Sequence, residues 1–143
     1  MRGDSEVELD PLVPEGEYRL KLVNHFTEKM FGNFPKLVLE FEVLDYGEHF
    51  GILLRRFYCV SKLKGKPGKK GKFIPPKRGD FLIEYCTLLG KSKLGRLDRI
   101  PMQPLYGRII VGETRNVTHN NQQKALPAPL QYSVVARLLR VES

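Results

Sequence analysis

The densest chemistry in this chain is cationic. From Ser61 to Arg78 it reads S-K-L-K-G-K-P-G-K-K-G-K-F-I-P-P-K-R, with eight basic residues (Lys62, Lys64, Lys66, Lys69, Lys70, Lys72, Lys77 and Arg78) and no acidic one. The 143 residues hold 24 Lys+Arg against 16 Asp+Glu, so this stretch accounts for the whole net charge of +8. Charge spread evenly would bear only on colloidal behaviour; charge gathered in one segment points to a polyanion, nucleic acid first among them. Gly65, Pro67, Gly68 and Gly71 break any helix here, so the lysines are expected to fan out from a movable loop, with Phe73 and Ile74 pinning its end to the body. Each phosphate such a loop neutralises releases condensed counterions, which makes the binding steeply salt-dependent.

Aromatic residues interleaved with basic ones supply the second kind of chemistry, because rings stack on unpaired bases at about 1–3 kcal/mol per base. The candidates are Arg56 with Tyr58; Phe26, Phe31 and Phe34 with Lys29 and Lys36; and Tyr106 with Arg108. Glu40 and Glu42, expected to face outward, count against their own strand as a phosphate track and move the expected contact toward the next strand and the loops.

Catalytic chemistry finds little footing. His25, His49 and His119 stand apart, without the short spacing of a metal site. The run from Gly65 fails the phosphate-loop pattern G-x-x-x-x-G-K-[ST], since a lysine occupies the second glycine position, and it opens onto Phe-Ile-Pro-Pro instead of a helix. Its G-x-x-G pairs differ from the KH clamp, which joins two helices. Arg96, Asp98 and Arg99 form a local charge cluster with no second carboxylate beside it for two-metal chemistry. The expectation is therefore a non-enzyme without cofactor. Cys59 and Cys86 lie in apolar segments and read as buried free thiols. No run approaches the roughly 18 apolar residues of a membrane span, and the opening M-R-G-D-S-E-V-E-L-D is no secretory signal, so a cytoplasmic protein is expected.

These side chains need a scaffold. Positions 1–15 read as a flexible acidic lead-in, and positions 16–143 as one domain. Glu17–Leu22 and Lys36–Leu44 alternate as strands, the second with Leu37, Leu39, Phe41 and Val43 inward. Gly32-Asn33 marks a turn within Phe26–Pro35. Phe50–Val60 is a third strand, for which Leu53, Phe57 and Cys59 are expected inside, Arg56 and Tyr58 outside, and Arg55 without assignment. Asp80–Leu89 is a helix, with Phe81, Leu82, Tyr85, Cys86 and Leu89 on its apolar face, Asp80 capping it and Gly90 ending it. Strands over Leu105–Thr118 and Leu130–Val141 follow; the latter should place Tyr132, Val134, Ala136 and Leu138 on one side. The order β-β-β-α-β-β predicts an all-β fold with one short helix, a five-stranded Greek-key barrel of OB type, which binds oligonucleotides on its second and third strands.

The segments Gly16-Glu17-Tyr18, Phe31–Leu37, Gly65–Phe73, Arg96–Pro101 and Tyr132-Ser133-Val134 resemble a family of small proteins carried by bacteriophages and integrative elements. More distantly, the chain is similar to phage single-stranded-DNA-binding proteins of OB type. That resemblance implies DNA replication or recombination in a mobile element. Together the readings predict a single-stranded-DNA binder, with RNA as the variant ligand, no membrane partner and strand edges suited to homo-oligomers. The alternative is an accessory or anti-defence factor whose basic loop docks an acidic protein.

Overall fold

A computed structural model describes residues 11–30, 34–91, 95–120 and 122–142. Among the described residues, eight strands and one α-helix follow in the order β1 (Glu17–Met30), β2 (Phe34–Val43), β3 (Leu53–Cys59), β4 (Lys62–Lys64), β5 (Gly68–Lys69), β6 (Lys72–Ile74), α1 (Asp80–Leu89), β7 (Ile110–Val117) and β8 (Tyr132–Val141). The main sheet is antiparallel with the path β3-β2-β1-β7-β8, and β5 adds to β1. Its outer strands, β3 and β8, lie against each other, yet no ladder joins them among the described residues, so the curved sheet is not closed. No helix among the described residues is long and apolar enough to cross a membrane.

β1 is longer than its alternation predicts. It pairs with β2 from Leu20↔Val43 to Met30↔Phe34, and a register shift between Leu22 and Asn24 separates its two halves. The first half also pairs with β7 through Glu17–Leu20. The second half receives β5 at Phe26↔Lys69 and Thr27↔Gly68. Because a bulge adds one residue, His25 and Thr27 are buried where an unbroken alternation from Leu20 and Leu22 would expose them.

The expected inward face of β2 holds: Leu37, Leu39, Phe41 and Val43 are all buried. β3 is the reverse of expectation. Leu54, Arg56 and Tyr58 are buried, whereas Leu53 and Cys59 are exposed and Phe57 is half-buried. Register is the cause. Leu54, Arg56 and Tyr58 stand opposite Phe41, Leu39 and Leu37, and directly paired residues share a sheet face. Arg55 therefore points out, where it pairs with Glu40 at 3.1 Å and lies over the Phe26 ring.

α1 covers the opening between β3 and β8. Phe81, Leu82, Tyr85 and Leu88 are its buried apolar residues, Phe81 meeting Tyr58 and Phe73 edge-on. Each such side chain contributes about 1.5–3 kcal/mol on burial, against about 1 kcal/mol for a side-chain cap. The expected Asp80 cap is absent: Gly79 is the N-cap residue and no side chain bonds there, while Gly90 ends the helix in the left-handed region at φ 66°. Packing, then, holds α1. Cys86 is half-buried and Cys59 exposed, so the thiols are not core groups.

In β8 a register slip pairs Arg137 with Glu113 and Val135 with Thr114, skipping Ala136. The slip puts Val135 and Leu138 together in the core, breaking the predicted Tyr132-Val134-Ala136-Leu138 face. Part of the acidic lead-in is also tied down. Val13 is a core residue, and Ser133 N–H donates to the Pro11 carbonyl at 2.9 Å. The remainder, positions 1–10, lies outside the described residues.

Candidate nucleic-acid interface

The basic segment is folded, not loose. Lys62–Lys64 and Lys72–Ile74 pair as β4 and β6, and the tip between them runs back along β1 as β5. Lys70 N–H donates to the His25 carbonyl at 2.9 Å, and Gly68 N–H to Thr27 Oγ1 at 3.3 Å. Gly71 makes the docking feasible, since a Cβ there would sit 2.0 Å from Thr27 Oγ1. Lys70 takes φ 54°, an uncommon left-handed conformation for a side-chain-bearing residue. Phe73 is buried against Phe81, as expected of the residue that pins the segment.

Lys62, Lys64, Lys66, Lys69, Lys70, Lys72, Lys77 and Arg78 are all exposed. Three of them converge. Lys64, Lys70 and Lys72, with Arg99, line a cleft of about 490 Å³ whose other residues include His25, Phe73, Asp98 and Met102. The second wall comes from the short helical turn Leu97–Arg99 that packs on β6. Asp98 is the sole carboxylate of the lining among the described residues, and it is already engaged by Arg96 at 2.7 Å and Lys64 at 3.2 Å. Those bonds, Arg96's first, hold its carboxyl well below the usual range. The cations left over are therefore available to a ligand.

At the cleft lies His25, 7% exposed. Its Nδ1 is hydrogen-bonded to the Tyr106 hydroxyl at 2.5 Å. Burial, and then the charge of Lys70, lowers the His25 pKa, whereas burial raises that of Tyr106. Tyr106 thus serves as the support of His25; its ring is half-buried. Arg108 is exposed and donates from Nε to the Pro104 carbonyl at 2.8 Å.

The expected stacking platform does not form. Tyr58 is 2% exposed and Arg56 8% exposed. Both belong to a buried cluster around Glu84 of α1. Arg56 donates from Nε at 3.2 Å and Nη2 at 2.5 Å, Tyr58 from its hydroxyl at 2.8 Å, and the Leu138 N–H at 2.9 Å. Burial works against the Arg56 charge, but the hydrogen bond to Glu84 and the neighbouring Tyr58, Glu84 and Asp80 raise its pKa overall. Burial and Glu84 push Tyr58 well above its ordinary range, so it stays a donor. This cluster bridges β3, α1 and β8 across the open side of the sheet. The helical spacing of Glu84 from Phe81 and Leu88 was the available signal that it faces inward.

The remaining candidates divide. Phe34, beside the basic segment, is 65% exposed, and Phe26 is half-buried beneath Arg55. Lys36 is half-buried with Nζ 2.9 Å from Cys59 Sγ, and it lines a smaller cleft of about 340 Å³ with Phe57, Arg115 and Tyr132. Phe31 lies outside the described residues. An unanticipated ring pair, Tyr46 (99% exposed) and Phe50, stacks at 5.9 Å in the β2–β3 turn. That turn lies past the Val43 end of β2, whereas β5 joins β1 at Phe26 and Thr27, level with Val38 and Leu37. Asp45 and Glu48 flank the pair, so it is not part of the cationic surface. Among the described residues no group of His, Cys, Asp and Glu is arranged to hold a metal.

No family model, curated protein or solved structure matches this chain.

Proposed function

We propose that this chain is a non-enzymatic single-stranded-DNA-binding protein, serving replication or recombination in a mobile element. The observation that carries the reading is the cleft lined by Lys64, Lys70, Lys72 and Arg99, in which the one carboxylate among the described residues, Asp98, is already paired. The strand path supports it: three antiparallel strands, a helix, then two strands returning beside β1 is the order of an OB barrel left open between β3 and β8. Phosphate contacts come from the β4–β6 segment, and the exposed Phe34 supplies a ring at its border. Little base preference follows, because cations read phosphates and a ring stacks on any base.

Fluorescence anisotropy of an internally labelled oligonucleotide of arbitrary sequence, with hydroxyl ends, tests the reading at two salt concentrations. Micromolar or tighter binding that weakens steeply with salt supports it. Absence of binding at low salt overturns it.

One observation favours a rival. A folded segment presents its lysines in a fixed pattern, which also suits a fixed pattern of carboxylates on an acidic protein. Pull-down from nuclease-treated lysate separates the two, since a protein retained after nucleic acid is destroyed supports the rival.

A further inference from the structure

We infer that the cleft between the β4–β6 segment and the Leu97–Arg99 turn is a subsite for a terminal phosphate monoester, the phosphorylated end of a strand. This rests on the nucleic-acid reading above and adds which part of the strand the cleft receives. Charge is the first argument. An internal phosphodiester carries one negative charge, while a terminal monoester carries about 1.5 to 2 at neutral pH and offers three free oxygens. With Lys64 and Arg96 engaged by Asp98, Lys70, Lys72 and Arg99 remain, a surplus over the single charge of a diester that a monoester offsets more fully.

The buried donor is the second argument. Lysines on a surface hold phosphates loosely as point charges. Here the cleft also reaches His25, more than nine-tenths buried. Nδ1 is taken by Tyr106. Nε2 has no partner among the described residues, and none of their buried polar atoms is left unpaired, so Nε2 meets solvent at the cleft. In the tautomer in which the Tyr106 hydroxyl donates to Nδ1, the neutral ring carries its proton on Nε2 and donates into the cleft. A monoester oxygen would accept that bond while the other two meet Lys70, Lys72 and Arg99.

Size is the third. About 490 Å³ is room for one nucleotide. Phe73, Ile100 and Met102 are its apolar lining, fit to lie against a terminal sugar or base.

The experiment compares one internally labelled oligonucleotide in three forms: hydroxyl ends, a 5′-phosphate, and a 3′-phosphate. At least one phosphorylated form should bind about tenfold or more tightly than the hydroxyl form, the worth of one or two charge-assisted hydrogen bonds. His25→Phe, which keeps a ring but removes the donor, should reduce that ratio to below about threefold. Arg99→Ala, on the exposed rim where folding is not at stake, should reduce it too. Equal affinities for all three forms overturn the inference and leave the proposed function standing. A preference that survives both substitutions overturns it as well. If no form binds at low salt, the proposed function falls, and the inference with it.

Discussion

Two basic regions of this molecule use the same residue types in opposite ways. Around Glu84, the cation Arg56 and the ring Tyr58 are buried and every strong donor is matched. Along β4–β6, lysines stand in solvent, and within the cleft they line, the one carboxylate among the described residues is shared by Arg96 and Lys64, leaving Lys70 and Lys72 without an anion there. The first arrangement spends its charge on the fold. The second leaves charge for something else. Counting basic residues does not separate the two; what matters is whether each cation already has an anion.

The comparison breaks most visibly at Glu84. Glu84→Ala leaves Arg56 buried without its anion and should cost about 3–5 kcal/mol, measured as a shift in urea unfolding. Replacing Glu84 by Gln together with Arg56 by Met keeps an acceptor for the Tyr58 hydroxyl and the Leu138 N–H, and should restore most of that stability while oligonucleotide affinity is kept. Loss of affinity in the double variant would return Arg56 to the interface.

The opposite variant, with Lys66, Lys69, Lys70 and Lys72 all changed to Ala, should flatten the slope of log affinity against log salt by up to roughly 3. Each of these exposed changes should move stability by no more than about 0.5 kcal/mol. An unchanged slope would mean that the segment does not lie on phosphates.

Gly71→Ala sharpens the boundary between the two regions. Its Cβ would meet Thr27 Oγ1 at 2.0 Å and the Gly68 carbonyl oxygen at 3.0 Å. Overpacking of this kind costs about 1–3 kcal/mol, and it should loosen the segment from β1 and widen the spread of its lysines. Binding that weakens without a change in salt slope would show that position, beyond charge, matters.

The smallest effect is on pH. The folded state lowers the His25 pKa below its ordinary value of about 6.5. The unfolded chain therefore takes up the proton first as pH falls. Stability contributed by His25 is complete above about pH 6.5 and declines below it, until the folded ring also protonates. In His25→Gln that portion of the unfolding profile should be flat. An unaltered profile would show that His25 carries no such penalty.

Much of this was legible in the residues. The helix Asp80–Leu89 and its Gly90 stop were readable because both depend on local spacing. So was the inward face of β2, where alternation is undisturbed. β3 was misread because an arginine on a strand suggests solvent, and the partner that reverses this, Glu84, comes from an element 28 residues later in the chain. The β1 and β8 faces were obscured by single-residue register shifts, which exchange inside for outside without changing composition. The cationic segment was found at once, but not its docking along β1, which depends on Thr27 meeting the bare backbone of Gly71. Asp98 and Arg99 stood out only as a charge cluster, because the wall they build faces residues far away in sequence.

β1 serves both regions with one continuous backbone. Its opening residues, Glu17–Leu20, pair with β7, and β2 takes over from Leu20 onward; its second half has β2 on one side and, on the other, among the described residues, the two residues of β5. Peeling the basic segment away would therefore strip one flank of β1 from Phe26 onward and spare the rest. The strand is built to let its far end loosen while its near end stays locked, so the surface offered to a polyanion could be remodelled without melting the domain.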